Sequence, residues 1–182
     1  MSRKSPLPAR LALLLVTSLA AIHTGMAADN ETPGLGTPVT PADLAQFDLI
    51  VEPDGAGLPA GAGTAMAGEA VFRSRCQSCH GESGEGRTSA TVLVGGSMQS
   101  EGPPLRTVGS YWPHATTLFD FIRRAMPADA PKSLSASEVY QVTAYVLYLN
   151  GIVARDEVID ADTLPAIEMP NRDGFVDQSH LQ

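Results

Sequence analysis

The sequence predicts an all-α domain. Three segments carry helical signals, and the residues between them show no strong strand pattern. The clearest signals predict a helix over residues 136–149, where Ser135 and Glu138 form a capping box and Asn150-Gly151 supplies a left-handed stop. The apolar stripe of this helix consists of Val139, Val142, Val146 and Leu149.

A second helix is predicted over residues 115–125, with Thr116 or Thr117 as its cap. Its expected apolar face consists of Leu118, Phe121 and Ile122. Pro127 ends this helix, because the residue before a proline is pushed toward extended backbone geometry. Met126 is therefore expected at the C-terminal end of the helix, turned out of it.

The remaining helical segment covers residues 64–80 and contains the only two cysteines of the chain. Its expected apolar side consists of Met66, Ala70 and Val71. A helix that continues to His80 places Cys76, Cys79 and His80 at positions i, i+3 and i+4, on one face. Gly81 is expected to end it.

The N-terminus has the pattern of a secretory signal peptide over residues 1–28, with a basic start, an apolar core and small residues after it. The apolar core covers residues 11–22. It is shorter than the roughly 20 residues that span a bilayer. We therefore expect an exported, periplasmic protein with no membrane span in its mature form, and an uncleaved membrane anchor is the alternative.

The mature chain divides into three predicted regions. Residues 29–63 are rich in Gly and Pro and are expected to form an extended arm, with one short strand at 47–51. Residues 64–151 carry the helices and form the expected folded domain, and residues 152–182 form a C-terminal extension with little regular pattern. A core this small favours a bound metal or cofactor as a further source of stability.

The charge balance argues against one class of partner. The chain has a net charge of −8, and removal of residues 1–28 leaves nine basic and twenty acidic residues, or −11. Because nucleic-acid binding depends on neutralising phosphates, we expect no nucleic-acid partner. Long-range attraction to a basic protein and simple solubility are equally consistent with this surface.

Cys76, Cys79 and His80 form the pattern Cys-x-x-Cys-His, which three kinds of chemistry use. A redox-active dithiol normally lies within a βαβ pattern, which is not found around this motif. A structural zinc site needs four ligands, and these residues supply three at most. The pattern is a signature of haem attachment, in which each thiol forms a thioether and the imidazole binds the iron. We therefore predict one covalently bound haem c.

The second axial ligand of the iron is predicted to be the sulfur of Met126, presented beyond the end of its helix. A neutral thioether favours ferrous iron and raises the reduction potential, which suits electron transfer. Three weaker candidates are present. Met169 repeats the Met-Pro dipeptide beyond the last helix, Met98 lies in a Gly/Ser loop, and His114 would give bis-histidine ligation.

These motifs resemble those of class I c-type cytochromes. The order helix–CQSCH–loop–helix–MP–helix matches that family over residues 64–151. The matching residues are Gly68 and Phe72 in the first helix and Val142 and Tyr145 in the last. The resemblance implies a class I cytochrome c fold, here with long irregular N- and C-terminal extensions. It also implies that Tyr111 and Trp112 contact a haem propionate, with ordinary core packing as the alternative.

The flanks resemble the cytochrome subunits of periplasmic molybdenum sulfite dehydrogenases and, equally, the haem domain of the sulfane dehydrogenase cytochrome of thiosulfate oxidation. The matching segments are VEPDGAGLPAGAGT, TVGSYWPHATTLFDFIRRAMP, YQVTAYVLYLNGIV and MPNRDGF. The sulfane dehydrogenase cytochrome typically has two haem motifs and this chain has one, which favours the sulfite type or a truncated relative acting as a carrier. The resemblance implies a separate molybdenum subunit that oxidises a sulfur substrate, a downstream cytochrome c, and no catalytic residue in this chain.

Three other functions stay open at the level of sequence. The first is a free periplasmic cytochrome c carrier without a dedicated catalytic partner. The second is a haem enzyme or gas sensor with an open iron site, which requires that Met126 does not bind the iron. The third is a dithiol oxidoreductase, which requires two free thiols.

Overall fold

The computed structural model describes residues 36–45, 47–87, 91–97, 99, 104–176 and 178. The chain divides into two compact units, Met1–Val39 and Thr40–Gln182. Of the first unit only residues 36–39 are described, and the signal peptide expected from the sequence lies outside the described residues. All elements discussed below belong to the second unit.

Helices predominate in the described part of the second unit, together with a two-stranded antiparallel sheet. In chain order the elements are α1 (Pro41–Ala45), β1 (Ala62–Gly63), α2 (Ala65–Arg75), α3 (Gln77–His80), α4 (Val108–Tyr111), α5 (Ala115–Ala125), α6 (Ala136–Leu149), β2 (Ile159–Asp160) and a 3₁₀ helix (Leu164–Ala166). The all-α prediction is confirmed, because each strand is only two residues long.

The boundaries of α6 agree with the sequence prediction. Ser135 Oγ accepts a hydrogen bond from the Glu138 N–H at 3.3 Å, and Glu138 Oε2 accepts one from the Ser135 N–H at 2.8 Å. Gly151 has φ of 70°, the left-handed conformation expected of the helix stop. The buried residues of this helix are Val139, Tyr140, Val142, Thr143, Ala144, Val146 and Leu147. The capping box and the glycine therefore define both ends of the central helix.

Helix α2 crosses α6 at a point of close backbone approach. A methyl group added at Gly68 would lie 1.9 Å from the Gln141 carbonyl oxygen. The ring of Phe72 is buried beside it, with its centroid 5.2 Å from that of Tyr145. The predicted apolar side was wrong, because Met66 and Ala70 are exposed, Val71 is half-buried, and Ala65, Gly68 and Phe72 are buried. The buried face of α2 is set by the close approach of α6 at Gly68, and a glycine does not register in a pattern of apolar side chains.

Helix α5 has the predicted boundaries, but its cap and one residue of its buried face differ from the prediction. His114 occupies the N-cap position without a side-chain capping bond, whereas Thr116 is buried inside the helix and donates to a backbone carbonyl of the preceding arm. Phe119 is fully buried and Phe121 is 45% exposed. Phe119 faces the core because its ring packs 4.5 Å from that of Tyr140 on α6.

The segment before the helices is held against them by long-range hydrogen bonds. The Val51 N–H donates to Asp120 Oδ1 at 2.9 Å, and the Tyr140 hydroxyl donates to the Pro59 carbonyl at 2.9 Å. The short strand predicted at 47–51 is absent, since these residues have no ladder partner among the described part of the chain. Side chains of α5, Asp120 and Arg123, bond to the backbone of Val51 and Leu49 in place of a strand partner.

The segment after the helices also contributes to the core. Strand β2 pairs with β1 in antiparallel register, with Gly63 opposite Ile159. Ile159 and Leu164 are fully buried, and Met169 is 3% exposed. Within the second unit, described residues of both flanking segments, among them Val51, Gly63, Ile159 and Leu164, therefore pack against the helical core. Within the described residues, the structure contains no helix of the length and apolar character that a membrane crossing requires.

Candidate haem-binding site

The two cysteines and the adjacent histidine lie where the first long helix is interrupted. The structure corrects the expectation of one continuous helix, because α2 ends at Arg75 and α3 begins at Gln77. Cys76 lies between them with φ of −122° and ψ of −36°. The His80 N–H still donates to the Cys76 carbonyl at 2.9 Å, and Gly81 follows with φ of 85°. The three side chains therefore belong to a distorted turn and not to one face of a regular helix.

The two cysteines have different surroundings. Cys76 is half-buried and packs against the hydrophobic core, whereas Cys79 is exposed. Burial raises the pKa of the Cys76 thiol to about 11, although the charge of Arg75 opposes the shift. Thiolate nucleophiles rely on a lowered pKa, so the surroundings of Cys76 do not favour a reactive thiolate at this position. An uncharged thioether has no such requirement.

The imidazole of His80 is oriented by a backbone carbonyl. Its Nδ1 lies 3.0 Å from the carbonyl oxygen of Thr91. Because that oxygen can only accept, Nδ1 is the donor of this contact, and in the neutral imidazole the lone pair is then on Nε2. Histidine ligands of metals commonly donate the second ring nitrogen in this way. No sequence pattern points to Thr91, since a backbone carbonyl has no side-chain signature.

The loop after His80 places Thr91 within reach of the ring. The Leu93 N–H donates to the Gly84 carbonyl at 2.8 Å, and the Gly86 N–H donates to the His80 carbonyl at 2.8 Å. The Glu85 carboxylate accepts from backbone N–H groups of this loop, and these hydrogen bonds lower its pKa. The loop is thus folded back on the Cys-x-x-Cys-His turn by its own backbone.

The three side chains do not converge as ligands of one small ion. Among the described residues, no group of three or more His, Cys, Asp or Glu side chains is arranged to hold a metal ion. A tetrahedral zinc site needs such convergence. Haem attachment does not, because thiols bond to the edge of the porphyrin and only the imidazole reaches the iron. Cys76, Cys79 and His80 fit the second arrangement.

Met126 lies directly beyond α5, as the proline pattern predicted. Its backbone is extended, with φ of −116° and ψ of 151°, and its N–H donates to the Ile122 carbonyl at 3.1 Å. The side chain is half-buried and packs against the same hydrophobic core that Cys76 borders. A thioether sulfur at the margin of the core is an available donor for the second axial position.

The other ligand candidates have different environments. Met169 is 3% exposed and belongs to the core. Met98 lies outside the described residues. His114 is half-buried, and its Nδ1 is buried without a hydrogen-bond partner among the residues that the structure describes. Of these groups and Met126, the methionine beyond α5 best combines partial exposure with a soft donor atom.

The donor set as a whole fits haem c. It consists of the Cys76 and Cys79 side chains, an imidazole whose Nδ1 contacts a backbone carbonyl, and a half-buried thioether. Partly buried apolar side chains accompany these donors around the core; they include Val71, Leu93, Trp112, Leu134 and Tyr145. Haem is a flat, largely apolar macrocycle, and partly buried apolar side chains of this kind are what it would pack against.

Known proteins support this assignment of class. Residues 63–146 match the family described as cytochrome c oxidase, cbb3-type, subunit III. A chain of the sulfane dehydrogenase SoxCD crystal structure from Paracoccus pantotrophus is 38% identical, with a TM-score of 0.76 over 82% of this chain and 74% of that chain. The thiosulfate dehydrogenase of Allochromatium vinosum is 30% identical over 116 residues, which is 62% of this chain.

The chain therefore belongs to the c-type cytochromes, the haem proteins that transfer electrons. Its match covers 38% of the length of the thiosulfate dehydrogenase. The likeness to the sulfane dehydrogenase structure extends beyond the residues matched by the family model, and so includes flanking segments as well as the helical domain.

Proposed function

We propose that this chain is a periplasmic monohaem c-type cytochrome that accepts electrons from a molybdenum-containing sulfur dehydrogenase and passes them to another cytochrome c. The observation that carries the haem assignment is the 3.0 Å contact between His80 Nδ1 and the Thr91 carbonyl. It leaves Nε2 of the residue after the second cysteine free to bind iron.

Four residues have specific roles in this proposal. Cys76 and Cys79 would form the two thioethers with the haem, and His80 Nε2 and the Met126 sulfur would bind its iron. When bound, haem c supplies a one-electron ferric–ferrous couple. The Met126 side chain is half-buried, and its neutral sulfur would favour the ferrous state. The chain itself needs no acid, base or nucleophile.

The sulfur-oxidising partner is proposed from the relatives. One of them is described as a sulfane dehydrogenase and another as a thiosulfate dehydrogenase, so both act on reduced sulfur. Two of the segments that resemble cytochrome subunits of molybdenum sulfite dehydrogenases lie in the flanks of the helical domain. The first contains β1, which pairs with β2, and the last contains Met169, which is 3% exposed. An electron acceptor with one haem motif would serve such an enzyme in single-electron steps.

The test is reduction of the haem by a sulfur substrate. The cytochrome is purified and mixed with the molybdenum oxidoreductase that we expect a neighbouring gene to encode, and the ferrous spectrum is followed after addition of sulfite or thiosulfate. Reduction by sulfite only when the molybdenum protein is present supports the proposal. Reduction by thiosulfate and not by sulfite, with the molybdenum protein present, would assign the partner to the sulfane or thiosulfate dehydrogenase type. No reduction by either, with normal reduction by dithionite, would contradict the partner and favour a free carrier.

A further inference from the structure

The side chain of Asn150, which follows the last residue of α6, joins that helix to a second part of the chain. Its Nδ2 donates to the Val146 carbonyl of the same helix at 2.8 Å and to the Leu93 carbonyl at 3.1 Å. An amide nitrogen has two hydrogens, and these two acceptors use both of them. The end of the helix does not require an asparagine here, because Asn150 has φ of −91° and the left-handed position is taken by Gly151.

Leu93 is a junction of three segments. Its carbonyl also accepts from the Val108 N–H at the start of α4, at 3.2 Å, and its N–H donates to the Gly84 carbonyl at 2.8 Å. The Leu93 side chain is half-buried and packs against the hydrophobic core. Among the described residues, the bond from Asn150 is the only hydrogen bond that ties residues 91–94 to α6. The central helix therefore holds this segment through one amide group.

The same segment contains the carbonyl that orients the candidate iron ligand. Leu93 lies two residues after Thr91, whose carbonyl oxygen is 3.0 Å from His80 Nδ1. Two residues of extended chain span about 7 Å at most, so a bond at Leu93 limits where the Thr91 carbonyl can lie. Thr91 itself is exposed, so burial of its own side chain contributes little to holding it in place.

The amide of Asn150 is held in one orientation. A methyl group added at Gly109 of α4 would lie 2.7 Å from Asn150 Oδ1 and 3.2 Å from Asn150 Cβ. The half-buried side chain is thus confined by α4 on the side of its oxygen and by two carbonyls on the side of its nitrogen. It can act as a fixed brace between α6 and Leu93.

We propose that Asn150 is a positioning residue for His80: by holding the Leu93 carbonyl, it keeps the Thr91 carbonyl at His80 Nδ1. The inference rests on the proposed function, because it requires His80 to be the ligand of the haem iron. A carbonyl held at Nδ1–H increases electron donation by the imidazole, and this favours ferric iron. Loss of the Asn150 amide should therefore loosen the contact at Nδ1 and raise the reduction potential.

The experiment compares two variants of Asn150 with one matched control, all as holo-proteins. Asn150→Asp keeps the shape of the side chain beside Gly109 and replaces both N–H donors by a carboxylate oxygen. Asn150→Ala removes the donors without adding a charge and is the variant used for the potential. The control is Thr116→Val, because Thr116 is fully buried and its hydroxyl donates to the Pro53 carbonyl at 3.0 Å. It also loses one bond from a side chain to a backbone carbonyl, but that bond joins α5 to the preceding segment.

Nuclear magnetic resonance of the ferrous protein follows the exchange of the His80 Nδ1 proton with solvent, together with the backbone N–H groups of α6. Loss of an ordinary hydrogen bond changes a local opening equilibrium by about fivefold. We expect the His80 proton to exchange about fivefold faster in both Asn150 variants, with a smaller change inside α6. The potential of Asn150→Ala should shift upward. Thr116→Val should leave both the exchange of the His80 proton and the potential as in wild type.

Each outcome separates this inference from the proposed function. Unchanged exchange of the His80 proton in both Asn150 variants, together with a lowered Tm, would assign Asn150 to the end of α6 alone and overturn the inference. Equal acceleration of the His80 proton and of the groups inside α6 would indicate general destabilisation and would overturn it too. Both results leave the proposed function intact. A wild-type holo-protein whose His80 ring signals are unaffected by the haem would overturn the ligand assignment, and the inference with it.

Discussion

The crossing of α2 and α6 gives a prediction whose sign depends on the structure. Gly68 lies inside α2, where replacement by alanine would ordinarily stabilise a helix by about 1 kcal/mol. The added methyl would lie 1.9 Å from the Gln141 carbonyl oxygen, 2.5 Å from its carbonyl carbon and 3.0 Å from Tyr145 Cβ. Two of these atoms belong to the backbone of α6 and cannot rotate away. Gly68→Ala should therefore destabilise the protein.

The expected size follows from the overlap. Close carbon–oxygen contacts in proteins are about 3.3 Å or longer, so the two helices would have to separate by about 1.4 Å. Overpacking of a core costs about 1–3 kcal/mol, and a rigid backbone contact belongs at the upper end of that range. Subtracting the gain of about 1 kcal/mol in helix propensity leaves a net loss of about 2 kcal/mol. In a domain of this size this corresponds to a decrease in Tm of about 6 °C.

The assay is thermal unfolding of the holo-protein followed by far-ultraviolet circular dichroism. Ala70→Gly is the matched control, because Ala70 is exposed on the same helix and its replacement should cost about 1 kcal/mol through propensity alone. The two substitutions are opposite in chemical direction, yet both should lower the Tm. An unchanged or raised Tm for Gly68→Ala would refute the close approach of the two helices at this residue.

Three further predictions concern a buried hydroxyl, a helix cap and the iron. Thr143 is fully buried and its hydroxyl has no hydrogen-bond partner among the described residues, so Thr143→Val should raise the free energy of unfolding by about 1 kcal/mol. Thr116→Val removes an existing hydrogen bond and should lower the free energy of unfolding. Changes of the same sign for both variants in urea denaturation would contradict this reasoning. Ser135→Ala should cost about 1 kcal/mol at neutral pH. The Ser135 hydroxyl lowers the pKa of Glu138 in the folded protein. The stabilisation by this pair is therefore complete above the ordinary carboxyl pKa and is lost as the pH falls through the lowered pKa. If the difference in free energy of unfolding between Ser135→Ala and wild type grew on acidification, that result would contradict the role of the cap. Met126→His should lower the reduction potential in a redox titration, because the soft sulfur that favours ferrous iron is removed; an unchanged potential would exclude Met126 as a ligand.

The features that were predictable from the sequence are those with local causes. The ends of α6 depend on Ser135, Glu138 and Gly151, all within one turn of the positions they define, and the end of α5 depends on Pro127 in the same way. The Cys-x-x-Cys-His pattern is likewise local, and its five consecutive residues are enough to indicate the site. Helix α4 was missed because its capping box ends in Ser110 and not in the Glu or Gln that marks such a box.

The features that were not predictable depend on contacts between distant residues. The pairing of Gly63 with Ile159 joins two segments that each lack a strand pattern, and no local signal announces it. The choice of Phe119 over Phe121 as the buried ring depends on Tyr140 of α6. The contact of His80 with Thr91 is made by a backbone carbonyl, which any residue type would provide. The contacts that hold the candidate site in place therefore could not be inferred from the sequence, whereas the proposal of haem attachment rests on the local motif alone.

Intact mass under denaturing conditions tests the haem assignment most directly. The protein is produced in cells that attach haem c, denatured, and analysed for mass, iron and titratable thiols. Wild type should carry the mass of one haem and no free thiol, and Cys79→Ala should hold little haem because one thioether and the local geometry are lost. A denatured wild-type chain that has the mass of the polypeptide alone and two titratable thiols would contradict covalent attachment at Cys76 and Cys79.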